Sequence, residues 1–196
     1  MIAIVDYGAG NLTSVRKAFE YLGAEIQVTA DPADLAQAEK VVLPGVGHFS
    51  TTEAMERSGM RQAIQNSIES GKPFLGICVG MQWLYQGSQE APEVPGLGLF
   101  PGMCRTFPVA WKSPHVGWNS IEVNPESRGL RGVESGSFVY YTHSYFAPVT
   151  SETAACTQYG VPFAGAVERE HVFGVQFHPE KSGPAGLTIL RNFCEL

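Results

Sequence analysis

The sequence holds 196 residues, 44% of them hydrophobic, with 13 basic and 19 acidic side chains for a net charge of −6. Disorder, a fibrous architecture and a broad phosphate-binding surface are excluded on those grounds, and no apolar run approaches the roughly 18 residues that span a bilayer. Asp6 interrupts the opening stretch too early for a secretory signal, and four scattered cysteines with no C-x-x-C pair predict reduced thiols in a cytoplasmic protein of one domain, 1–196.

Ile2 to Asp6 (IAIVD) is short, continuous and β-rich, the pattern of a buried strand. Asn11 can cap the helix that follows, whose Leu12, Val15, Phe19 and Leu22 share one face, and Gly23 supplies its stop. EIQVT (25–29) and KVVLP (40–44) are the next strands. Residues 51–70 read as helix, interrupted near Gly59 and closed by Gly71. PFLGI (73–77) is a fourth strand, and Gly80 to Gln86 a further helix. Such alternation predicts an α/β fold with an open, mostly parallel central sheet and helices on both faces.

After Gly87 strand-like segments crowd together: Met103–Val109, Gly117–Val123, Ser137–Thr142, Ala154–Tyr159, Phe163–Glu168 and His171–Phe177. Short Gly-rich or polar turns separate them, which predicts a mixed or antiparallel second half. Ser182 can cap a last helix with Leu187, Leu190 and Phe193 facing inward.

The chemistry concentrates at two strand ends. Gly76-Ile77-Cys78-Val79-Gly80 has the Gly-x-nucleophile-x-Gly form of a strand-to-helix elbow, with Cys at the nucleophile position. Glycines flank such a residue because its strained backbone leaves no room for neighbouring side chains. The helix that follows aims its N-terminus at the sulfur and favours thiolate, and the Val79 N–H is free for an oxyanion. A buried packing cysteine is the competing reading of Cys78 alone; a base decides between the two. VFGVQFHPEKSG (172–183) supplies one: His178 and Glu180 follow a strand end, with Pro179 restraining the backbone between them. In triad logic Cys78 attacks, His178 moves the proton and Glu180 orients the imidazole.

LPGVGHF (43–49) places glycines on both sides of Val46, so a Val46 N–H can serve as second oxyanion donor after the Gly45–Val46 peptide turns over, with Gly47 lining the substrate. A plain tight turn is the competing reading. YYTHSYF (140–146) offers Thr142, His143 and Ser144 as polar contacts to a small substrate, against an ordinary hairpin edge. DYGAGN (6–11) looks like the start of a dinucleotide site, but the third glycine of that fingerprint falls at Thr13. No histidine pair has metal-ligand spacing, so neither a metal nor a cofactor is expected.

GICVGMQ followed by GVQFHPEKSG resembles the class I (triad-type) glutamine amidotransferases. DYGAGNL, LPGVGHF, PHVGWN (114–119) and YYTHSYF narrow the likeness to the glutaminase subunits of imidazole glycerol phosphate synthases. The resemblance covers nearly the whole chain, from Asp6 to the last helix. It departs at His48, where relatives carry a small residue, and at Val79, where they carry Leu.

The resemblance implies a class I amidotransferase-like fold and a Cys78–His178–Glu180 triad with Val79 and Val46 as oxyanion donors. It implies that Gly47, Gln82, Thr142, His143, Ser144 and Tyr145 position glutamine. It also implies a heterodimer with a (β/α)8 cyclase, which would use the ammonia to make imidazole glycerol phosphate and aminoimidazole carboxamide ribonucleotide in histidine biosynthesis. Asn11, Trp118, Tyr140 and Lys181 are the candidate docking residues. Another synthase's glutaminase, a freestanding cysteine hydrolase or a non-enzymatic binding module are the other readings.

Overall fold

Four N-terminal runs become, with one later strand, the parallel half of a central sheet in the computed structural model, which describes residues 1–196. In chain order they and their helices are β1 (Ile2–Val5), α1 (Leu12–Tyr21), β2 (Ile26–Thr29), α2 (Asp34–Gln37), β3 (Lys40–Leu43), α3 (Glu53–Ser58), α4 (Met60–Glu69), β4 (Phe74–Ile77) and α5 (Val79–Gln82). A 3-10 turn, Phe49–Thr52, leads into α3. α1 begins where the Asn11 side chain accepts from the Ser14 N–H, and it buries Val15 and Phe19. Phe19 meets Phe193 edge-on at 6.2 Å between ring centroids.

The second half contains β5 (Gly87–Ser88), β6 (Ala91–Pro95), β7 (Met103–Thr106), β8 (His115–Ser120), β9 (Glu122–Val123), β10 (Phe138–His143), β11 (Tyr145–Phe146), β12 (Thr153–Tyr159), β13 (Val161–Arg169) and β14 (Val172–Val175). A 3-10 turn, Pro179–Lys181, then leads to α6 (Gly183–Glu195). The main sheet runs β2-β1-β3-β4-β14-β13-β12-β9. Pairings from β2 to β14 are parallel and those from β14 to β9 antiparallel, so the open, mixed α/β sheet expected from the sequence is present. β8 and β10 form a separate antiparallel ribbon, and β11-β7-β5-β6 a small sheet. Fifty buried residues make one contiguous core. No helix is long and apolar enough to cross a membrane.

Several expectations need correction. The helix expected over Gly80–Gln86 is one turn long, Val79–Gln82. It ends because the carbonyls of Trp83, Leu84 and Tyr85 accept hydrogen bonds from Leu97, Phe100 and Gly98, partners far along the chain that locate the stop. The strand expected over 103–109 stops at Thr106, and that over 117–123 is two strands, β8 and β9. β5, β11 and α2 are too short to leave a periodic signal, and β6 carries Pro92 and Pro95, which argue against a strand. Ser182 precedes α6 but makes no side-chain cap. Its hydroxyl donates to the His178 carbonyl at 2.6 Å and accepts from the Tyr140 N–H at 2.9 Å, tying the ribbon to the His178 turn. Leu190 and Phe193 are buried as expected, Leu187 only partly.

Candidate active site

β4 and β14 are parallel neighbours that end together, with Ile77 opposite Val175. Cys78 and the segment from Gln176 to Glu180 therefore emerge side by side at the carboxyl edge of the sheet, where open α/β sheets bind ligands. The Cys78 N–H donates to the Val175 carbonyl at 2.8 Å. Cys78 itself turns at φ 55°, ψ −107°, a conformation that costs an L-residue on the order of 1–3 kcal/mol. The flanking glycines permit it. A Cβ on Gly76 would stand 2.6 Å from the Gly80 carbonyl oxygen, and one on Gly80 would run into the carbonyl oxygen of Leu43. Their bareness lets α5 pack directly on the ends of β3 and β4.

His178 Nδ1 lies 2.9 Å from Glu180 Oε1, and both side chains are 1% exposed. A carboxylate only accepts, so Nδ1 carries a proton and donates it, and the other nitrogen, Nε2, has no protein partner. Burial alone lowers the imidazole pKa; the neighbouring Cys78 sulfur and the Glu180 carboxylate more than reverse this and push it up to about 9. A raised folded-state pKa means that the stabilisation is fully present below about 6.5, the unfolded value. It is lost as pH rises through about 9. Urea unfolding of the protein and its Glu180→Gln variant at pH 6, 7.5 and 9.5 checks this: the wild-type margin narrows as pH rises, whereas a constant margin contradicts the charged pair.

The sulfur faces the Gln176 amide Nε2 at 3.7 Å and the Thr142 carbonyl at 4.0 Å. It opens on a cavity of about 310 Å³ lined by Val46, Gly47, Cys78, Val79, Gln82, Thr142, His143, Ser144 and Tyr145. Every substrate and oxyanion residue expected from the sequence meets there. Two further lining residues, Glu90 and Pro114, were not expected. Glu90 is the only carboxylate in the cavity, and its Oε2 accepts from the Phe49 N–H at 2.8 Å. It arrives through the β5–β6 hairpin, whose register no local pattern announces.

The expectation that the Val79 N–H is free does not hold in this orientation of the loop. The Val79 N–H is not free: it points at the Gly45 carbonyl, 3.4 Å away. Peptide 45–46 thus presents oxygen, not N–H, to the elbow. A Cβ on Gly45 would stand 2.7 Å from the Tyr7 hydroxyl and 2.8 Å from Val79 Cβ, so the loop needs glycine to sit this close. That Tyr7 hydroxyl is buried without a partner. Beside the cavity, a polarised chain fixes His143. Asn119 Nδ2 donates to His115 Nε2, His115 Nδ1 to His143 Nε2, and His143 Nδ1 to the Tyr145 carbonyl. Burial keeps both rings neutral, with pKa values lowered to about 4 for His115 and about 3 for His143.

Residues 3–196 match the family model described as glutamine amidotransferase class-I. The chain belongs to the class I glutamine amidotransferases. Within the family it is 48% identical, over all of this chain and 98% of the relative, to the "Imidazole glycerol phosphate synthase subunit HisH" of Methanothermobacter thermautotrophicus. Identity to the subunit of the same name from Chlorobium luteolum is 47%, covering both chains completely. Among solved structures, one described as a glutamine amidotransferase superposes with a TM-score of 0.78 at 18% identity, covering 100% of this chain and 98% of that one. PurLQS from Thermotoga maritima gives 0.75 at 21%, covering 99% and 97%. These last two likenesses speak for the class I amidotransferase fold.

The expected docking residues fall in two groups. Trp118 and Tyr140 pair across the β8–β10 ribbon with centroids 6.0 Å apart, and Lys181 Nζ sits 5.9 Å from the centre of the Tyr140 ring. Asn11 is committed to capping α1. Val116, Trp118 and Phe138 stand 55–60% exposed on the ribbon's outer face. They form an exposed apolar patch on that face.

Proposed function

We propose that this chain is a glutaminase subunit that releases ammonia from glutamine for a (β/α)8 cyclase, within an imidazole glycerol phosphate synthase heterodimer. The observation that carries the reading is the strained Cys78 beside a buried His178–Glu180 pair, opening on a cavity with polar walls. The names of relatives nearly half identical over the whole chain supply the destination of the ammonia and the place in histidine biosynthesis. Such a biosynthetic role belongs in the cytoplasm.

In the reaction the Cys78 thiolate adds to the side-chain amide carbon of glutamine. The C–N bond then breaks as His178 gives its Nε2 proton to the departing nitrogen, leaving a γ-glutamyl thioester and ammonia. His178 next takes a proton from water, whose oxygen attacks the thioester and releases glutamate. Glu180 holds the imidazole in the tautomer that keeps Nε2 toward the sulfur. The amide oxygen becomes negative in both additions and needs N–H donors, Val79 and Val46. In the orientation described above the Gly45 carbonyl occupies that position, so the Gly45–Val46 peptide must turn over before the hole is complete.

That requirement connects catalysis to docking. An isolated subunit hydrolyses glutamine slowly, and the cyclase with its nucleotide ligand accelerates it by favouring the turned peptide. The exposed ribbon face of Val116, Trp118 and Phe138, with Tyr140 and Lys181 at its side, is the surface the cyclase covers. Glutamate release measured with and without cyclase and nucleotide tests the reading. Equal rates overturn the gating, and no glutamate under either condition overturns the glutaminase assignment.

Glu90 is assigned to the substrate's ammonium group, as the sole carboxylate in a cavity that must take an amino acid. Glu90→Gln keeps an acceptor for the Phe49 N–H but removes the charge. It raises KM for glutamine about tenfold or more with kcat nearly unchanged. A kcat loss with unchanged KM refutes that role.

A further inference from the structure

From the amide chain behind the elbow, we infer that Gln176 is a positioning residue for the Cys78 sulfur, donating a hydrogen bond that holds the thiolate toward the cavity. The direction of the donation follows from an anchor that cannot be reversed. A backbone carbonyl only accepts, and the Tyr145 carbonyl stands 2.8 Å from Gln82 Nε2, so the Gln82 amide nitrogen faces it. The second N–H of the same amide reaches Gln176 Oε1 at 3.1 Å. Gln176 therefore shows its oxygen to Gln82 and its Nε2 to the sulfur, 3.7 Å away. Flipping either amide would set nitrogen against nitrogen or oxygen against oxygen.

Gln176 is 0% exposed. Its backbone N–H is fixed by the Gly165 carbonyl at 2.9 Å, and it follows directly on β14 beside β4, whose last residue precedes Cys78. A fully buried glutamine is an expensive core residue unless its amide is used at both ends, as it is here. Donation from a neutral amide favours the sulfur anion over the thiol without adding a charge that would compete for His178. The titratable groups that face the sulfur are His178, from the turn after β14, and Tyr7, from the loop after β1. Gln176 is separate from both.

The inference rests on Cys78 being the nucleophile, and its test reads the thiol directly, whatever the substrate. The pH dependence of Cys78 alkylation by iodoacetamide is followed on the Cys78 peptide by mass spectrometry, in wild type and in Gln176→Met, which keeps the volume and removes the donor. The midpoint moves up by about one unit in the variant, about tenfold less thiolate at a given pH below it. Glutamine hydrolysis in the cyclase complex loses about tenfold in kcat with KM within about twofold. An unchanged alkylation midpoint in a folded variant overturns the inference and leaves Gln176 as core filling. A shifted midpoint with no glutaminase activity even in wild type upholds it and refutes the substrate instead. A second measurement needs no folded variant. The Gln176 side-chain amide resonances of the wild-type protein titrate together with Cys78 alkylation and lose that response in Cys78→Ala; resonances insensitive to Cys78 refute the hydrogen bond.

Discussion

Cys78→Ala abolishes glutamine hydrolysis, by about 10⁴-fold or more, while the protein keeps its fold. The size of the loss follows from the role: without the sulfur no thioester forms, and neither His178 nor the oxyanion donors can attack the amide on their own. The fold survives because the elbow is held from outside the side chain. The Cys78 N–H stays bonded to the Val175 carbonyl, and Gly76 and Gly80 still permit the close approach of α5. The Cys78→Gly variant separates strain from chemistry. Glycine accepts φ 55° freely, so this variant is equally inactive but gains on the order of 1 kcal/mol over Cys78→Ala in urea unfolding. Ammonia release by Cys78→Ala at the wild-type rate would remove the nucleophile from the mechanism.

Gly80→Ala is a severe structural perturbation for a single methyl group, and costs about 3 kcal/mol or more of stability. The new Cβ lands on the Leu43 carbonyl oxygen, and backbone cannot move aside as the end of a flexible side chain can. Relief requires α5 to lift from the sheet, carrying Val79 and the Cys78 turn with it, so glutaminase activity falls together with the urea midpoint. A Gly80→Ala protein with wild-type midpoint and activity would show that α5 has room to shift, contrary to the packing described.

Much of the proposed catalytic set is legible because its signals are local. Two glycines two residues either side of a cysteine, and a proline between a histidine and a glutamate, state a backbone requirement in five residues or fewer. The same holds for α1, with Asn11 before it, Val15 and Phe19 on one face and Gly23 after it. Of the cavity residues, Thr142, His143 and Ser144 were suggested by their polar character, which fits an ordinary hairpin as well, while Tyr145 and Gln82 were reached only through family likeness. Glu90, Gln176 as a sulfur donor, and the short α5 left no such mark. Each depends on a partner 41, 98 or 13 to 16 positions away.

What the sequence by itself determined is most strands of the main sheet, the longer helices and the identity of the groups able to do chemistry, because strand propensity, capping and glycine or proline geometry act between near neighbours. The tertiary structure alone decided that β4 and β14 lie adjacent and end together, which turns residues a hundred positions apart into one site. It alone decided that the Gly45 carbonyl occupies the Val79 N–H and that a glutamine amide faces the sulfur. Those are hydrogen bonds between distant segments. Their partners, and the direction in which each is donated, are fixed only once the sheet has brought the segments together.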